Sequence, residues 1–171
     1  MTTDILHEQK ILILDFGSQY TQNIARKIRE SQVYCEIHPC NLAFNEIKAF
    51  NAKGIILSGG PASVQEEDSP LCDRKLFELG IPILGICYGM QLISHILGGQ
   101  VSPSPHGEFG RAELVLKEFS HLFEEVKSNS IVWMSHGDRI SKLPKGFKGI
   151  AYTDNSPMAA IEDPLAHIYG L

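Results

Sequence analysis

The chain has 171 residues, and 15 Lys plus Arg against 20 Asp plus Glu leave a formal charge of −5, which excludes a basic nucleic-acid footprint. With 43% hydrophobic and 20% charged residues it is neither disordered nor fibrous, and its length suits one domain around a single sizeable core. No apolar stretch approaches the ~18 residues of a membrane span, and Met1 to Gln9 is too polar for a signal-peptide core, so a cytoplasmic protein is expected.

Ile11 to Phe16 (ILILDF) is a continuous apolar run of the kind found in a strand buried on both faces, and it ends in Gly17-Ser18. A helix is predicted between Gln19 and Gln32, where Tyr20, Ile24 and Ile28 give one apolar face. The rhythm then repeats. Val33 to Ile37 reads as a strand, Asn45 to Phe50 as a short helix and Gly54 to Ser58 as a third strand. Asp73 to Leu79 reads as a helix, Pro82 to Ile86 as a fourth strand, and a further helix runs from Tyr88 to the Gly98-Gly99 stop. This alternation predicts a parallel sheet with helices on both faces and right-handed crossovers. Beyond Gly99 come short strands with turn signals: Arg111 to Leu116, Ile131 to Met134, Gly149 to Tyr152, Met158 to Ile161 and His167 to Leu171. An antiparallel tail of this kind extends one edge of the parallel sheet, so the fold class is α/β, an open three-layer sandwich with a mixed, mostly parallel sheet. The glycine-rich and acidic loop from Gly59 to Ser69 is the expected mobile segment.

Cysteines 35, 40, 72 and 87 are too few and too scattered for a disulfide framework and read as free thiols. Cys35, His38 and Cys40 resemble a metal cluster only superficially. Cys35 and His38 are three apart in a strand and face opposite ways, and no fourth ligand lies nearby, so no metal site is expected.

In open α/β sheets ligands bind beyond the carboxyl ends of the strands, and three features fall there. Gly85-Ile86-Cys87-Tyr88-Gly89 carries the chain from the fourth strand straight into a helix. It is the cysteine version of the G-x-S-x-G elbow, whose glycines permit a sharp turn with the nucleophile at its tip. At a helix N-terminus the thiol is expected to ionise below the ~8.5 of free cysteine. The bland reading is a small buried thiol at a strand end. Ser58-Gly59-Gly60-Pro61 follows the third strand. Without G-K-S/T it is no phosphate loop, which leaves a plain loop or an oxyanion hole whose N–H groups approach a developing negative charge. Gln91 lies one helical turn after Cys87 on the same face, either exposed or aimed at a polar substrate. A thiol nucleophile also needs a base, for which His95, His106, His136 and His167 are candidates. On chemistry alone His136, in Ser135-His136-Gly137-Asp138 after a strand and with Asp138 nearby, is the first choice.

The segments ILILDFGSQYTQNIAR, ILSGGPASV, ILGICYGMQ, EFGRAEL and VWMSHGD resemble, in sequence and order over nearly the whole chain, the class I (triad) glutamine amidotransferases. D-F-G-S-Q-Y-T-Q and W-M-S-H-G-D resemble the amidotransferase domains of the GMP synthetase family in particular. The resemblance implies a flavodoxin-like fold and a glutaminase domain over residues 1–171, which hydrolyses glutamine to glutamate and ammonia through a cysteine thioester. That ammonia supplies a synthetase (ATP pyrophosphatase) domain or subunit that makes GMP from XMP with ATP and Mg. No cofactor is implied for the glutaminase half-reaction, and the full enzyme is expected to be a homo-oligomer. The resemblance makes Cys87 the nucleophile and assigns the oxyanion hole to Gly59, Gly60 and the Tyr88 N–H. Gln91 contacts the substrate amide, while Ser135 and His136 sit in a loop touching bound glutamine.

It also displaces His136 as the base. In the family the catalytic histidine comes from a Q-F-H-P-E segment directly after a strand like Tyr169-Gly170-Leu171, where this sequence stops. The expectation is a C-terminally incomplete domain cut from a longer enzyme, with the synthetase domain absent and no activity alone because the catalytic His and Glu are missing. Two other readings are a flavodoxin-like cysteine hydrolase of another substrate class, against which Gln91 and S-G-G-P argue, and a non-catalytic glutamine- or partner-binding module, which the absent histidine would suit.

Overall fold

The computed structural model describes residues 9–171, without the side chains of Pro105, His106 and Glu108. The start of the Met1 to Gln9 segment and the His106 imidazole therefore lie outside the described residues. Strands β1 (Lys10–Asp15), β2 (Tyr34–Pro39), β3 (Gly54–Leu57), β4 (Ile83–Gly85), β5 (Gln100–Leu116), β6 (Ser130–Lys142), β7 (Lys148–Tyr152), β8 (Ala160–Asp163) and β9 (Ile168–Gly170) form one sheet in the order β2-β1-β3-β4-β9-β8-β7-β5-β6. The first five in that order pair parallel and the rest antiparallel. Helices α1 (Thr21–Glu30), α2 (Phe44–Phe50) and α3 (Tyr88–Ile96) join the early strands.

The alternation of β1 shows why the sheet is sandwiched. Ile13 points with Cys35 toward Ala25 of α1, while Leu12 and Leu14 point to the other face, where Ile47 of α2 and Leu92 and Ile93 of α3 complete the main core. Each face of the same strand is dry, hence the unbroken apolar run. Cys35 lies in the α1 core and its thiol meets the Ala25 carbonyl, whereas His38 pairs with Glu36 at 2.9 Å and packs edge-on against Phe50. The two residues face opposite ways, as their spacing requires.

Three elements depart from the sequence reading. Asp73 to Leu79 is not an α-helix but a 3₁₀ turn, Arg74–Glu78, whose first N–H groups are capped by the Asp73 carboxylate accepting from Lys75 N at 2.9 Å. Pro82 follows too closely for a full helix. β5 begins at Gln100 rather than Arg111, running through Pro103 and Pro105. Prolines break a strand paired on both sides, but this stretch pairs with β6 alone, and residues 104–107 bulge out opposite Gly137. β6 does not stop at Met134. It continues through Ser135, His136, Gly137 and Asp138, so the segment read as a loop after a strand is the middle of one. Among the described residues no helix is long and apolar enough to cross a membrane.

Candidate active site

The turn from β4 into α3 places Cys87 at φ +50°, in a region that non-glycine residues avoid. Such strain persists only where the surroundings enforce it, and the neighbours of Cys87 do so. A Cβ on Gly89 would lie 2.3 Å from the Leu57 carbonyl oxygen, and one on Gly85 would lie 2.5 Å from the Gly89 backbone. Only side-chain-free backbone allows the helix to start this close to the sheet. The Cys87 N–H donates to the Leu171 carbonyl at 2.6 Å, which ties the turn to the end of β9.

The glycines after β3 reach the same point. A Cβ on Gly60 would collide with the Phe16 carbonyl at 2.5 Å, whereas one on Gly59 would sit in ordinary contact with the Cys87 Cβ at 3.6 Å. Ser58, fully buried, fixes this corner by donating to the Gly59 carbonyl at 2.8 Å and accepting from Phe16 N at 2.9 Å. Tyr88 is the first residue of α3, so its N–H has no partner within the helix. Its phenol leaves the site altogether, donating to the Pro70 carbonyl at 2.7 Å.

Gln91 is buried, and its amide donates to the Asp138 carbonyl at 3.2 Å, bridging α3 to β6. The Asp138 carboxylate in turn accepts from Ser63 at 2.5 Å. With Val64 buried and the Gln65 amide donating to the Val101 carbonyl, the loop expected to be mobile is fastened along its first half. The outcome is a cavity of about 390 Å³ lined by Gly60, Cys87, Tyr88, Gln91, Ser135 and His136. Gly59 borders a second cavity of about 380 Å³ on the other side of Cys87, together with Gly17 to Tyr20 of the β1–α1 loop. A third, apolar one of about 340 Å³ runs from Cys87 beneath β6 toward Leu171. Gly59, Gly60, Tyr88, Gln91, Ser135 and His136 thus each line a cavity that Cys87 also lines.

Three residues on the wall of the 390 Å³ cavity, Ser63, Glu66 and Phe109, had no role in the sequence reading. Phe109 had a signal in its place within E-F-G-R-A-E-L and Ser63 in its place within I-L-S-G-G-P-A-S-V, whereas Glu66 had none. His95 and His167 are exposed, His95 far along α3 and His167 in the turn before β9. A larger cavity of about 680 Å³, around Lys117, Tyr152 and Asn155, touches none of the elbow residues.

The electrostatics correct one expectation. Burial pushes the Cys87 thiol above its ordinary value rather than below it. As the N-cap residue it makes no side-chain hydrogen bond to the helix, and burial disfavours the thiolate. Cys72 is pushed up to about 12 and Cys35 is buried. Iodoacetamide should therefore label Cys87 first among the four thiols, because it alone opens onto these cavities. Since the thiolate is the nucleophile and its pKa is raised, the rate should still climb roughly tenfold per pH unit between pH 7 and pH 8. A plateau already reached at pH 7, or faster labelling of Cys40, would contradict this picture.

A family model described as glutamine amidotransferase class-I matches residues 12–171. Over 161 residues the chain is 57% identical to the glutamine-hydrolysing GMP synthase of Wolinella succinogenes, covering 91% of this chain and 31% of that protein. It is 53% identical to the enzyme of the same name from Clostridium botulinum, covering 94% and 31%. It spans about a third of the length of these curated relatives. Among solved structures, a Thermoplasma acidophilum protein provisionally named as a GMP synthase subunit superposes with a TM-score of 0.86 at 29% identity, over 96% of this chain and 82% of that one. A glutamine amidotransferase from Thermotoga maritima shares the fold with a TM-score of 0.78 at 21% identity, over 96% and 75%. The elbow, the glycine corner and the polar cavity accordingly lie within a chain that belongs to the class-I glutamine amidotransferase family.

Proposed function

We propose that this chain is the glutamine-hydrolysing unit of a cytoplasmic GMP synthase, and that it supplies ammonia to an ATP- and Mg-dependent synthetase unit converting XMP to GMP. The observation that carries this reading is the strained Cys87 turn, enforced by Gly85 and Gly89, opening onto a cavity that also holds Gln91, Ser135 and His136. The kinship with glutamine-hydrolysing GMP synthases supports the choice of substrate and product.

In this reading the Cys87 sulfur attacks the side-chain carbonyl carbon of glutamine. The N–H groups of Gly60 and Tyr88, with the Gly59 backbone beside them, hold the oxyanion. Collapse of the tetrahedral adduct breaks the C–N bond, the departing amine takes a proton to leave as ammonia, and a glutamyl thioester remains on Cys87. Water hydrolyses the thioester to glutamate and regenerates the thiol. Gln91, Ser135 and His136 hold the amino-acid portion of the substrate. The raised thiol pKa calls for a partner base at the moment of attack. We assign that role to a histidine, oriented by a glutamate, from a segment following Leu171, whose carbonyl already touches the Cys87 backbone. On this reading residues 1–171 form a C-terminally incomplete glutaminase domain, and the whole enzyme assembles as a homo-oligomer.

The test is glutamate release from glutamine. Residues 1–171 alone should show negligible turnover, and a chain continued through an H-P-E segment should recover it. Robust turnover by the 171-residue chain would return His136 to consideration as the base, with His136→Ala as the deciding variant. Gly59→Ala checks the corner separately. Its methyl group has room, so the melting temperature should hold, but the group lies against the nucleophile and activity of the intact enzyme should drop by roughly 10²-fold. Unchanged turnover would remove Gly59 from the site.

A further inference from the structure

The β5–β6 hairpin has two apolar faces, only one of which is covered. In an antiparallel hairpin with one face on the core and the other in water, the outward positions are polar. Inward, Leu114, Val132 and Met134 pack on the core beneath. Outward, on the same strand face as Ser135, stand Ile131, Trp133 and, directly opposite Ser135 on β5, Phe109. They are 51%, 77% and 72% exposed. Arg111 and Glu113 pair with Trp133 and Ile131 and give the stripe a charged margin.

The stripe is continuous with the nucleophile. Two of the cavities that Cys87 lines have an exposed aromatic residue of this surface on their wall: Phe109 and, from the β1–α1 loop, Tyr20 at 55% exposure. Exposed aromatic residues with a neighbouring arginine are the composition of interface hot spots. About two thirds of the length of the curated relatives lies outside the region this chain matches. Ammonia that escapes into water near neutral pH is diluted and largely protonated to ammonium, whereas a consumer seated against the mouth from which it leaves receives it before that happens.

Resting on the function proposed above, we infer that the outward face of the β5–β6 hairpin, centred on Phe109 and Trp133 and extended by Ile131 and Tyr20, is the surface on which the ammonia-consuming synthetase unit docks. The occupant is that unit and not a second copy of this chain, because the stripe borders the cavities of Cys87, where the product emerges.

The experiment uses the intact enzyme, with the synthetase unit on the same or a co-expressed chain. A photoreactive benzoylphenylalanine replaces Trp133, and the cross-linked peptide is sequenced. In parallel, the double variant Ile131→Asp plus Trp133→Asp is assayed for GMP formed from glutamine and from added ammonium. The expected cross-link joins position 133 to a peptide of the synthetase unit. In the double variant, ammonium-driven GMP formation should be unchanged, while GMP formed per glutamate released should drop by roughly threefold or more. A cross-link to a second copy of this chain, no cross-link, or unchanged coupling in the double variant would overturn the docking surface while leaving the function standing. A wild-type enzyme that releases no glutamate from glutamine would overturn the function, and the docking surface with it.

Discussion

Cys87→Ala is expected to abolish glutamine hydrolysis in the intact enzyme, lowering turnover by roughly 10⁴-fold or more, because removing the nucleophile of a covalent mechanism leaves only binding and oxyanion contacts. The fold should survive. Cys87 projects into open cavities rather than into the core, and alanine tolerates the same backbone at φ +50° no worse than cysteine does. Ammonium-driven synthesis should be untouched. Cys87→Gly sharpens the test, since glycine relieves the left-handed backbone and should raise stability by about 1 kcal/mol while activity is equally lost. An inactive variant with a higher melting temperature would identify the turn as strain retained for chemistry. An unfolded Cys87→Ala protein would instead mark the residue as a packing thiol.

Gly89→Ala should have the largest effect on stability. Its new methyl would lie 2.3 Å from the Leu57 carbonyl oxygen and 2.9 Å from the Leu57 Cβ, in the central strand of the parallel half, where neither helix nor sheet can withdraw. Overpacking at such a point costs roughly 3 kcal/mol, equivalent to a drop of about 6–12 °C in melting temperature for a domain of this size. Thermal denaturation followed by circular dichroism measures it. Gly59→Ala, with 3.6 Å of room, is the control, and equal melting temperatures for the two variants would show that α3 can move away from β3.

The parallel half of the sheet was legible because its chemistry is local. Ile11 to Phe16 is apolar at nearly every position since both its faces are dry, and Gly85 and Gly89 announce a helix starting too close to a strand for any side chain. The antiparallel half was less so. Prolines disfavour a ladder, and Pro103 and Pro105 are compatible with a strand only because that stretch of β5 has a neighbour on one side alone. Ser135 to Asp138 read as a segment following a strand, and as a loop by resemblance, whereas the ladder to β5 carries the strand through it. The thiol pKa was misjudged for a related reason. Sequence locates Cys87 at a helix start but does not show how far its sulfur is buried, and burial raises the thiol pKa. The residues proposed for the site were singled out by motif, while Glu66 sits in a loop beyond the quoted segments with no periodicity to betray it.

The position of β9 governs the order in which this molecule can fold. Last in chain order of the nine strands among the described residues, it lies between β4 and β8, and within their sheet it joins the four strands that come first in the chain to the four that follow them. A nascent chain emerging from the ribosome can assemble α1, α2 and the first strands early, and can close the β5–β6 hairpin independently. The two halves stay unjoined until Ile168 to Gly170 slot between them, with Ile83 beside Ile168 on one side and Asp163 beside it on the other. Such pairings between distant segments are the slow steps of folding. The bond from the Cys87 N–H to the Leu171 carbonyl forms in that same event, so one fastening of the reactive turn waits on the strand that also joins the two halves of the sheet.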